Sequence, residues 1–206
     1  MIALLLLAAR AGCAEVRFLD LQHTSVPPQP WVQAVKTGQP VLRRALLDGE
    51  AGICLVSQSS SFSMQRRAAV DIAHHPLLRL RWRVNALPPG ADFRTPKDDQ
   101  AAQFFVAFAT PLRYRAINYI WDTTAPVGTV GDYDLLWFIK IKTLVVASGA
   151  GETGRWVTVT RDVAADYRAL FGGEPPPVRG VRFQVNSQYT RSYAEGCIAS
   201  VTFSPR

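Results

Sequence analysis

Two adjacent acidic residues have the chemistry to serve a function in this chain. Asp98 and Asp99 follow a polar loop and precede an apolar segment, so one carboxylate could hydrogen-bond a ligand or act as one acid of a glycosidase pair. Adjacent residues on a strand point to opposite faces, so the doublet alone cannot supply both carboxyls of such a pair. The structural alternative is that one aspartate pairs with an arginine such as Arg81 or Arg83, or caps a turn.

A row of arginines is the second candidate, and it lies on the clearest strand of the sequence. Residues 77–84 alternate with a period of two, which predicts a half-buried antiparallel strand. Leu78, Leu80, Trp82 and Val84 form the face predicted to enter the core, and Arg79, Arg81 and Arg83 form the other face. This arginine face is either a site for an anionic ligand or a layer of structural ion pairs.

Tryptophans could provide flat surfaces on which sugar rings stack. Trp121, Trp137 and Trp156 are the candidates, although most aromatic residues on strands belong to the core. Trp121 shares a strand face with Ile117 and Tyr119, which favours burial. Trp137 and Trp156 are less determined.

The composition excludes several functional classes. The chain has 206 residues and a net charge of +7, but its 23 lysines and arginines are scattered and form no basic block, so nucleic-acid binding is not predicted. The sequence has no serine-hydrolase elbow, no phosphate-binding glycine loop and no zinc-ligand spacing. We therefore expect no cofactor and no metal.

The first 14 residues are predicted to be a signal peptide. A short apolar run over residues 2–9 is followed by small residues, as in secretory signals, and no later segment is apolar enough for a membrane helix. Residues 15–206 would then form one exported domain, in the bacterial periplasm; the alternative is a cytosolic protein with an apolar first strand. Cys54 and Cys197 would remain after cleavage, either as a disulfide or as two buried thiols.

The rest of the chain is a succession of strands separated by proline and glycine turns. One short helix is predicted near 162–171, with Asp162 as its N-cap and Gly172 as its stop. The predicted strands cover residues 41–47, 52–58, 64–72, 77–84, 103–110, 114–121, 137–147, 155–161, 178–185 and 197–203. About ten strands and one helix predict a mainly β fold, an antiparallel β-sandwich of jelly-roll (galactose-binding-like) type.

An ordered series of segments resembles a bacterial family known only as domain of unknown function 3047. The matching segments include residues 80–84, 87–92, 105–108, 117–121, 145–149 and 161–163. The resemblance implies an exported protein with a fold similar to carbohydrate-binding β-sandwiches. Where the family tends to carry acidic residues, this chain has Val185–Thr190 and Glu195–Ile198, in which those carboxylates are largely replaced.

The leading hypothesis is an exported, non-catalytic β-sandwich that binds a carbohydrate or another cell-envelope ligand. The alternatives are a glycan-active hydrolase that uses acidic residues, and a structural or partner-binding envelope protein. The candidate ligand-binding residues are Arg79, Arg81, Arg83, Asp98, Asp99, Trp121, Trp137 and Trp156.

Overall fold

The computed structural model describes residues 15–19, 21, 25–110, 113–136 and 138–206. In this part of the chain, thirteen strands form two sheets, and one helix packs beside them. The elements are β1 (Val16–Arg17), β2 (Val32–Thr37), β3 (Val41–Leu47), β4 (Glu50–Gln58), β5 (Ser61–Val70), β6 (Leu77–Ala86), β7 (Ala102–Thr110), β8 (Arg113–Asp122), β9 (Val130–Leu136), β10 (Ile139–Ser148), β11 (Val157–Asp162), α1 (Val163–Phe171), β12 (Val178–Asn186) and β13 (Tyr193–Ser204).

The first sheet has six strands in the order β11-β6-β13-β4-β3, with β1 paired to β13. All its strand pairs are antiparallel. The arginine-bearing strand β6 lies between β11 and β13, and Trp82 is the cross-strand partner of Ile198 on β13. Both residues face inward, since the alternation places apolar side chains on one face of the strand.

The second sheet has seven strands in the order β2-β5-β12-β7-β8-β10-β9. Its pairs are antiparallel except for β8 and β10, which run parallel because β9 lies at the edge and β10 returns between β9 and β8. The sandwich is therefore mixed at this edge.

The hydrophobic core fills the space between the sheets. The rings of Trp82 and Trp121 come from opposite sheets, and their centroids lie 6.2 Å apart. Phe104 and Phe183 are also fully buried there. Burial of each such side chain stabilises the fold by about 1.5–3 kcal/mol. The predicted fold class, a β-sandwich of jelly-roll type, is confirmed.

The helix α1 covers one end of the core and has the predicted caps. The Asp162 side chain accepts a hydrogen bond from the Ala165 amide at 2.9 Å. Gly172 ends the helix with a φ of 69°, which favours glycine because it lacks a Cβ. Val163 and Tyr167 are buried against the core.

Two strands of the second sheet were not predicted from the sequence. The edge strands β2 and β9 have irregular polar patterns, and β5 begins at Ser61, three residues before the strand predicted from residue 64. The proposed signal segment, residues 1–14, lies outside the described residues. Within the described part of the chain, no helix combines the length and the apolarity that crossing a membrane requires.

Candidate functional site

The outer face of the seven-stranded sheet carries an open cavity of about 650 Å³, which we call the cleft. Its floor is formed by outward-facing residues of β7, β8, β10 and β12: Gln103, Phe105, Asn118, Thr143, Arg182 and Gln184. These residues alternate along each strand with core residues such as Phe104 and Phe183, which point into the sandwich. The volume is in the range typical of ligand-binding pockets.

Cross-strand pairing lines up the floor residues into a row. On neighbouring strands, Arg182 pairs with Phe105, Phe105 with Asn118, and Asn118 with Thr143. Side chains of directly paired residues on one face of a sheet lie about 5 Å apart. The strands therefore place polar and aromatic groups in a continuous line across the cleft.

A network of carboxamide side chains lies along this floor. Asn118 Nδ2 donates to Gln103 Oε1 at 3.0 Å, and Gln103 Nε2 donates to Asn186 Oδ1 at 2.6 Å. Asn186 Oδ1 also accepts from the Gln100 amide at 2.9 Å. This network fixes the orientation of each amide group, so their free positions point in defined directions.

One position of this network is not satisfied within the protein. Asn118 is 5% exposed, and its Oδ1 atom accepts no hydrogen bond from any residue that the structure describes. A buried acceptor without a partner costs about 1–3 kcal/mol. Asn118 lines the cleft, and a shift of its side chain that lets Oδ1 accept from a ligand hydroxyl or amide group would recover this free energy.

Asp98 lies in the cleft at the end of the carboxamide network. Its Oδ1 accepts from Gln100 Nε2 at 2.9 Å, and Asn186 Nδ2 donates to its backbone carbonyl at 2.8 Å. Burial raises the pKa of the Asp98 carboxyl, and the nearby Asp99 carboxylate raises it further, whereas Lys36 opposes the shift. The surroundings of Asp98 thus favour its protonated form more than water does.

Phe93 forms one wall of the cleft. The buried Asp122 carboxylate fixes its loop by accepting from the amides of Phe93 at 3.0 Å and Ala125 at 2.7 Å. The ring lies directly over Gly131 on β9, where an added Cβ would overlap it. A glycine is therefore required for this wall to stand where it does.

Tyr189 and Lys36 form the opposite wall. Lys36 Nζ donates to the Tyr189 hydroxyl at 3.3 Å and lies 5.5 Å from the centre of its ring. Asp99 holds the loop that carries Tyr189, since its Oδ2 accepts from both the amide (2.6 Å) and the hydroxyl (2.8 Å) of Thr190. Tyr189 is half exposed, so one part of its ring faces solvent at the cleft.

Residues 41–202 match the family described as protein of unknown function (DUF3047). The chain belongs to this family. The match covers most of the chain and confirms the resemblance seen in its segments. No curated protein matches the chain.

The solved structures to which this DUF3047 chain is similar have low sequence identity to it. The xyloglucanase domain of NopAA, a type three effector from Sinorhizobium fredii solved with cellobiose, has a TM-score of 0.49 and 10% identity, over 84% of this chain and 93% of that chain. Endoglucanase cel12A from Rhodothermus marinus has a TM-score of 0.48 and 7% identity, over 92% and 99%. A family 12 xyloglucanase from Bacillus licheniformis has a TM-score of 0.45 and 9% identity, over 94% and 100%.

The arginine face of β6 lies on the other sheet, on the opposite side of the sandwich from the cleft. Arg81 forms a two-pronged ion pair with Glu50, with nitrogen–oxygen distances of 2.8–3.1 Å, and Arg83 pairs with Asp48. The hypothesis that Asp98 or Asp99 pairs with these arginines is wrong, because Asp48 and Glu50 flank the β3–β4 turn beside them. Arg79 lies on the same face and is exposed.

The two candidate tryptophans that the structure describes, Trp121 and Trp156, do not line the cleft. Trp121 is fully buried, and its Nε1 donates to the Gly149 carbonyl at 3.0 Å, so the prediction that it stacks on a sugar is wrong. Trp156 is half-buried on the six-stranded sheet, where its Nε1 donates to the Leu47 carbonyl at 2.9 Å. Trp137 lies outside the described residues. The exposed aromatic surface of the cleft comes instead from Phe105, Tyr133 and Tyr189.

Cys54 and Cys197 form a disulfide, which is one of the two alternatives that the sequence left open. They are direct cross-strand partners on β4 and β13. Arg83 is the partner of Cys197 on the other neighbouring strand, so the disulfide lies on the arginine face and not in the cleft.

The sequence segment in which the family's acidic residues are replaced does contribute to the cleft. Asn186 joins the carboxamide network to Asp98, and Tyr189 forms a wall.

Phe105 was overlooked because residues 103–110 are apolar on both faces, a pattern interpreted as a strand covered on both sides. Asn118 and Gln103 give no signal in sequence, since isolated amides on strands are common.

Proposed function

We propose that this DUF3047 protein is an exported, non-catalytic carbohydrate-binding protein and that the cleft on its seven-stranded sheet is the binding site. The observation that carries the proposal is the ordered carboxamide network with its buried, unpartnered acceptor, Asn118 Oδ1. The other unpartnered buried atoms among the described residues, Trp82 Nε1 and Asp99 Oδ1, belong to residues that do not line the cleft, whereas Asn118 lines it. A ligand that donates a hydrogen bond to Asn118 Oδ1 would satisfy this acceptor.

The chemistry of the floor suits sugar hydroxyls. Each hydroxyl donates one hydrogen bond and accepts others, and a carboxamide offers both functions on one rigid plane. The rings of Phe105, Tyr133 and Tyr189 supply the apolar surface that the C–H face of a pyranose requires. Because the row runs across several strands and opens to solvent, the cleft suits a chain of sugar units rather than a single enclosed ring.

Binding without hydrolysis is favoured by the carboxylates that line the cleft. A glycosidase needs two carboxyls at a set separation on either side of the scissile bond. Asp132, which also lines the cleft, is ion-paired with Lys142 at 2.6 Å on the neighbouring strand. Carboxamides occupy the centre of the floor, where they bind hydroxyls but cannot act as the acid or the nucleophile.

The proposed location is the bacterial periplasm. The disulfide between Cys54 and Cys197 supports it, because disulfides persist in oxidising compartments. A protein of the cell envelope also meets polysaccharides at high concentration.

Binding to a glycan array, followed by calorimetric titration with the best oligosaccharide, tests the proposal. Asn118→Leu removes the cleft acceptor, and we expect it to lower the affinity about tenfold or more, since a buried hydrogen bond is worth about 1–3 kcal/mol. Tyr189→Ala keeps the fold and removes one wall, with an expected loss of about threefold to tenfold.

Tyr193→Ala is the matched control. Tyr193 is a similarly exposed tyrosine on β13 of the other sheet, and its substitution should leave the affinity unchanged. Absence of binding to every glycan, or an equal loss in Tyr189→Ala and Tyr193→Ala, would refute the proposal.

A glycan hydrolase is the second candidate, and it is favoured by Asp98. Burial raises the pKa of this carboxyl, which is the direction of shift that a general acid requires. Release of reducing ends from a glycan, abolished in Asp98→Asn with binding retained, would establish this candidate. Asp99→Asn is a poor substitute in that experiment, because Asp99 holds the Thr190 loop.

A further inference from the structure

A second cavity, of about 310 Å³, adjoins the cleft on the same face of the seven-stranded sheet. Phe105 and Arg182 line both cavities, so the second continues the first along β7 and β12. We call it the basic groove; its arginines are Arg66, Arg67, Arg179 and Arg182. From Gln103 in the cleft to Ala107 in the basic groove, β7 runs four residues, about 13 Å at the usual rise of a strand.

The basic groove concentrates positive charge without any balancing carboxylate. Its lining includes four arginines and, among the described residues, no aspartate or glutamate; the guanidinium of Arg66 is directed to the Phe18 carbonyl at 2.9 Å, so Arg67, Arg179 and Arg182 supply the charge of the groove. No described carboxylate lies within ion-pair distance of Arg67 or Arg179, both of which are exposed. Elsewhere in the fold, arginines such as Arg81, Arg83 and Arg94 each pair with a carboxylate. Like charges that converge without a counter-charge repel each other, so an anionic partner stabilises this arrangement.

Arg182 connects the two cavities. Its Nε donates to Gln65 Oε1 at 3.0 Å, and its guanidinium lies 5.6 Å from the centre of the Phe105 ring. These contacts hold the guanidinium beside the Phe105 ring and leave its two terminal nitrogens without a described acceptor. A guanidinium held in this way presents two parallel N–H donors, which match the two oxygens of a carboxylate.

The two cavities differ in their charged side chains. Those that line the basic groove are all positive, whereas the cleft combines its carboxamides, Asp98 and the Lys142-paired Asp132 with Lys36, Arg94 and the shared Arg182. A ligand that is charged along its whole length would bring anions onto Asp98. A ligand with neutral sugar units over the carboxamides and an acidic unit over the arginines matches both halves.

We propose that the ligand is an acidic heteropolysaccharide, in which uronate units alternate with neutral ones. The proposal rests on the carbohydrate-binding function proposed above and adds the substrate class. A uronate carboxylate is bound by Arg67, Arg179 and Arg182, while the neighbouring neutral units occupy the carboxamide cleft.

The experiment compares uronate-containing oligosaccharides with their carboxyl-reduced forms, which differ only in the charged group. Hyaluronan and gellan oligosaccharides, each with its carboxyl-reduced counterpart, are titrated by calorimetry at low and high salt. We expect the acidic form to bind about tenfold tighter at low salt and the preference to shrink at high salt. Two further probes test which anion is recognised. Polygalacturonate tests binding of densely spaced carboxylates, and a sulfated oligosaccharide tests binding of sulfate in place of carboxylate.

The variants assign the preference to the basic groove. Arg67→Gln and Arg179→Gln should each lower the affinity for the acidic form about threefold to fivefold and leave the affinity for the reduced form unchanged. Arg79→Gln removes the same charge from an exposed strand position on the opposite sheet, and it should change neither.

Each other result overturns the inference in a distinguishable way. Equal affinity for the acidic and reduced forms refutes the acidic ligand while the carbohydrate-binding function stands. Binding to no glycan refutes both. Equal or tighter binding of polygalacturonate, of the sulfated probe or of single-stranded DNA, with the same loss in Arg67→Gln, shows unselective attraction of polyanions and also refutes it.

Discussion

The outer faces of the two sheets carry similar residues, which differ between the faces in whether they have partners within the protein. On the six-stranded sheet, Arg81 and Arg83 pair with Glu50 and Asp48, and Arg43 pairs with the buried Glu195 beside the disulfide. On the seven-stranded sheet, Arg67 and Arg179 have no carboxylate within reach among the described residues, and Asn118 keeps a buried acceptor unpaired. The arginines around the disulfide are therefore neutralised within the protein, whereas those of the basic groove are open to an anionic ligand.

The difference shows that a row of arginines does not by itself indicate a binding site. What separates the two faces is the presence of partners, and those partners come from elsewhere in the chain. Asp48 and Glu50 flank the turn between β3 and β4, more than 30 residues before the arginines that they neutralise. A face whose charges are already balanced gains little from an added anion.

Removal of the disulfide should have the largest effect on stability and none on binding. The bond joins residues 143 positions apart, so it restricts the unfolded chain strongly. The double variant Cys54→Ala, Cys197→Ala should lower the free energy of unfolding by about 3–5 kcal/mol. Urea denaturation measures this loss, and titration at 10 °C, where the variant stays folded, should give the wild-type glycan affinity. A folded variant with reduced affinity would contradict the separation of the two faces.

Two glycines offer a matched comparison of the faces, because each lies beneath an aromatic ring. A Cβ at Gly52 would lie 2.6 Å from Cη2 of Trp156, and a Cβ at Gly131 would overlap Phe93. Gly52→Ala should lower the free energy of unfolding by about 1–3 kcal/mol through overpacking, with no change in affinity. Gly131→Ala should instead displace the half-buried Phe93 into the cleft and weaken glycan binding.

Thermal unfolding and calorimetric titration of both alanine variants provide the readout. If Gly52→Ala weakened binding as much as Gly131→Ala, the effect would come from the sandwich as a whole. The cleft would then not be the site.

Removal of one arginine charge from each face should distinguish residues that stabilise the fold from residues that bind the ligand. Arg81→Gln breaks a partly exposed pair with Glu50, so we expect a loss of about 0.5–1 kcal/mol in unfolding free energy and unchanged affinity for acidic glycans. Arg67→Gln should show the reverse, with unchanged stability and weaker binding. Loss of stability in Arg67→Gln would indicate that its guanidinium serves the fold.

Local patterns were sufficient to predict most of the fold. The alternation of residues 77–84 located β6 and its buried Trp82, and Asp162 with Gly172 bounded the helix. The edge strands β2 and β9 escaped because they bury little and therefore show no clear period. A strand shows a clear alternation of apolar and polar residues only where one of its faces is buried.

The site was predicted less well because it depends on which strands become neighbours. Asn118, Gln103 and Asn186 come from β8, β7 and the end of β12, and only the order β12-β7-β8 places their amides in contact. Asp98 was identified from its position before an apolar strand, and it does line the cleft. Asp99, its neighbour, points away and holds the Thr190 loop, and both aspartates lie in the loop before β7 begins at Ala102.

Two aspartates beside the cleft should respond to pH in opposite directions, and this is the smallest effect we expect. Burial raises the pKa of Asp98, so its ionisation destabilises the fold, and the unfolding free energy falls as the pH rises from the usual aspartate value through the raised one. Asp98→Asn keeps an acceptor for Gln100 and should therefore gain melting temperature over the wild type between about pH 4 and pH 7.

Hydrogen bonds from Arg94 and Thr124 hold the pKa of Asp92 well below its usual range, although burial opposes them. Asp92→Asn should accordingly lose melting temperature at neutral pH and approach the wild type as the pH falls. Thermal unfolding across this range measures both variants, and parallel, pH-independent shifts would show that neither carboxyl feels its surroundings as the structure indicates.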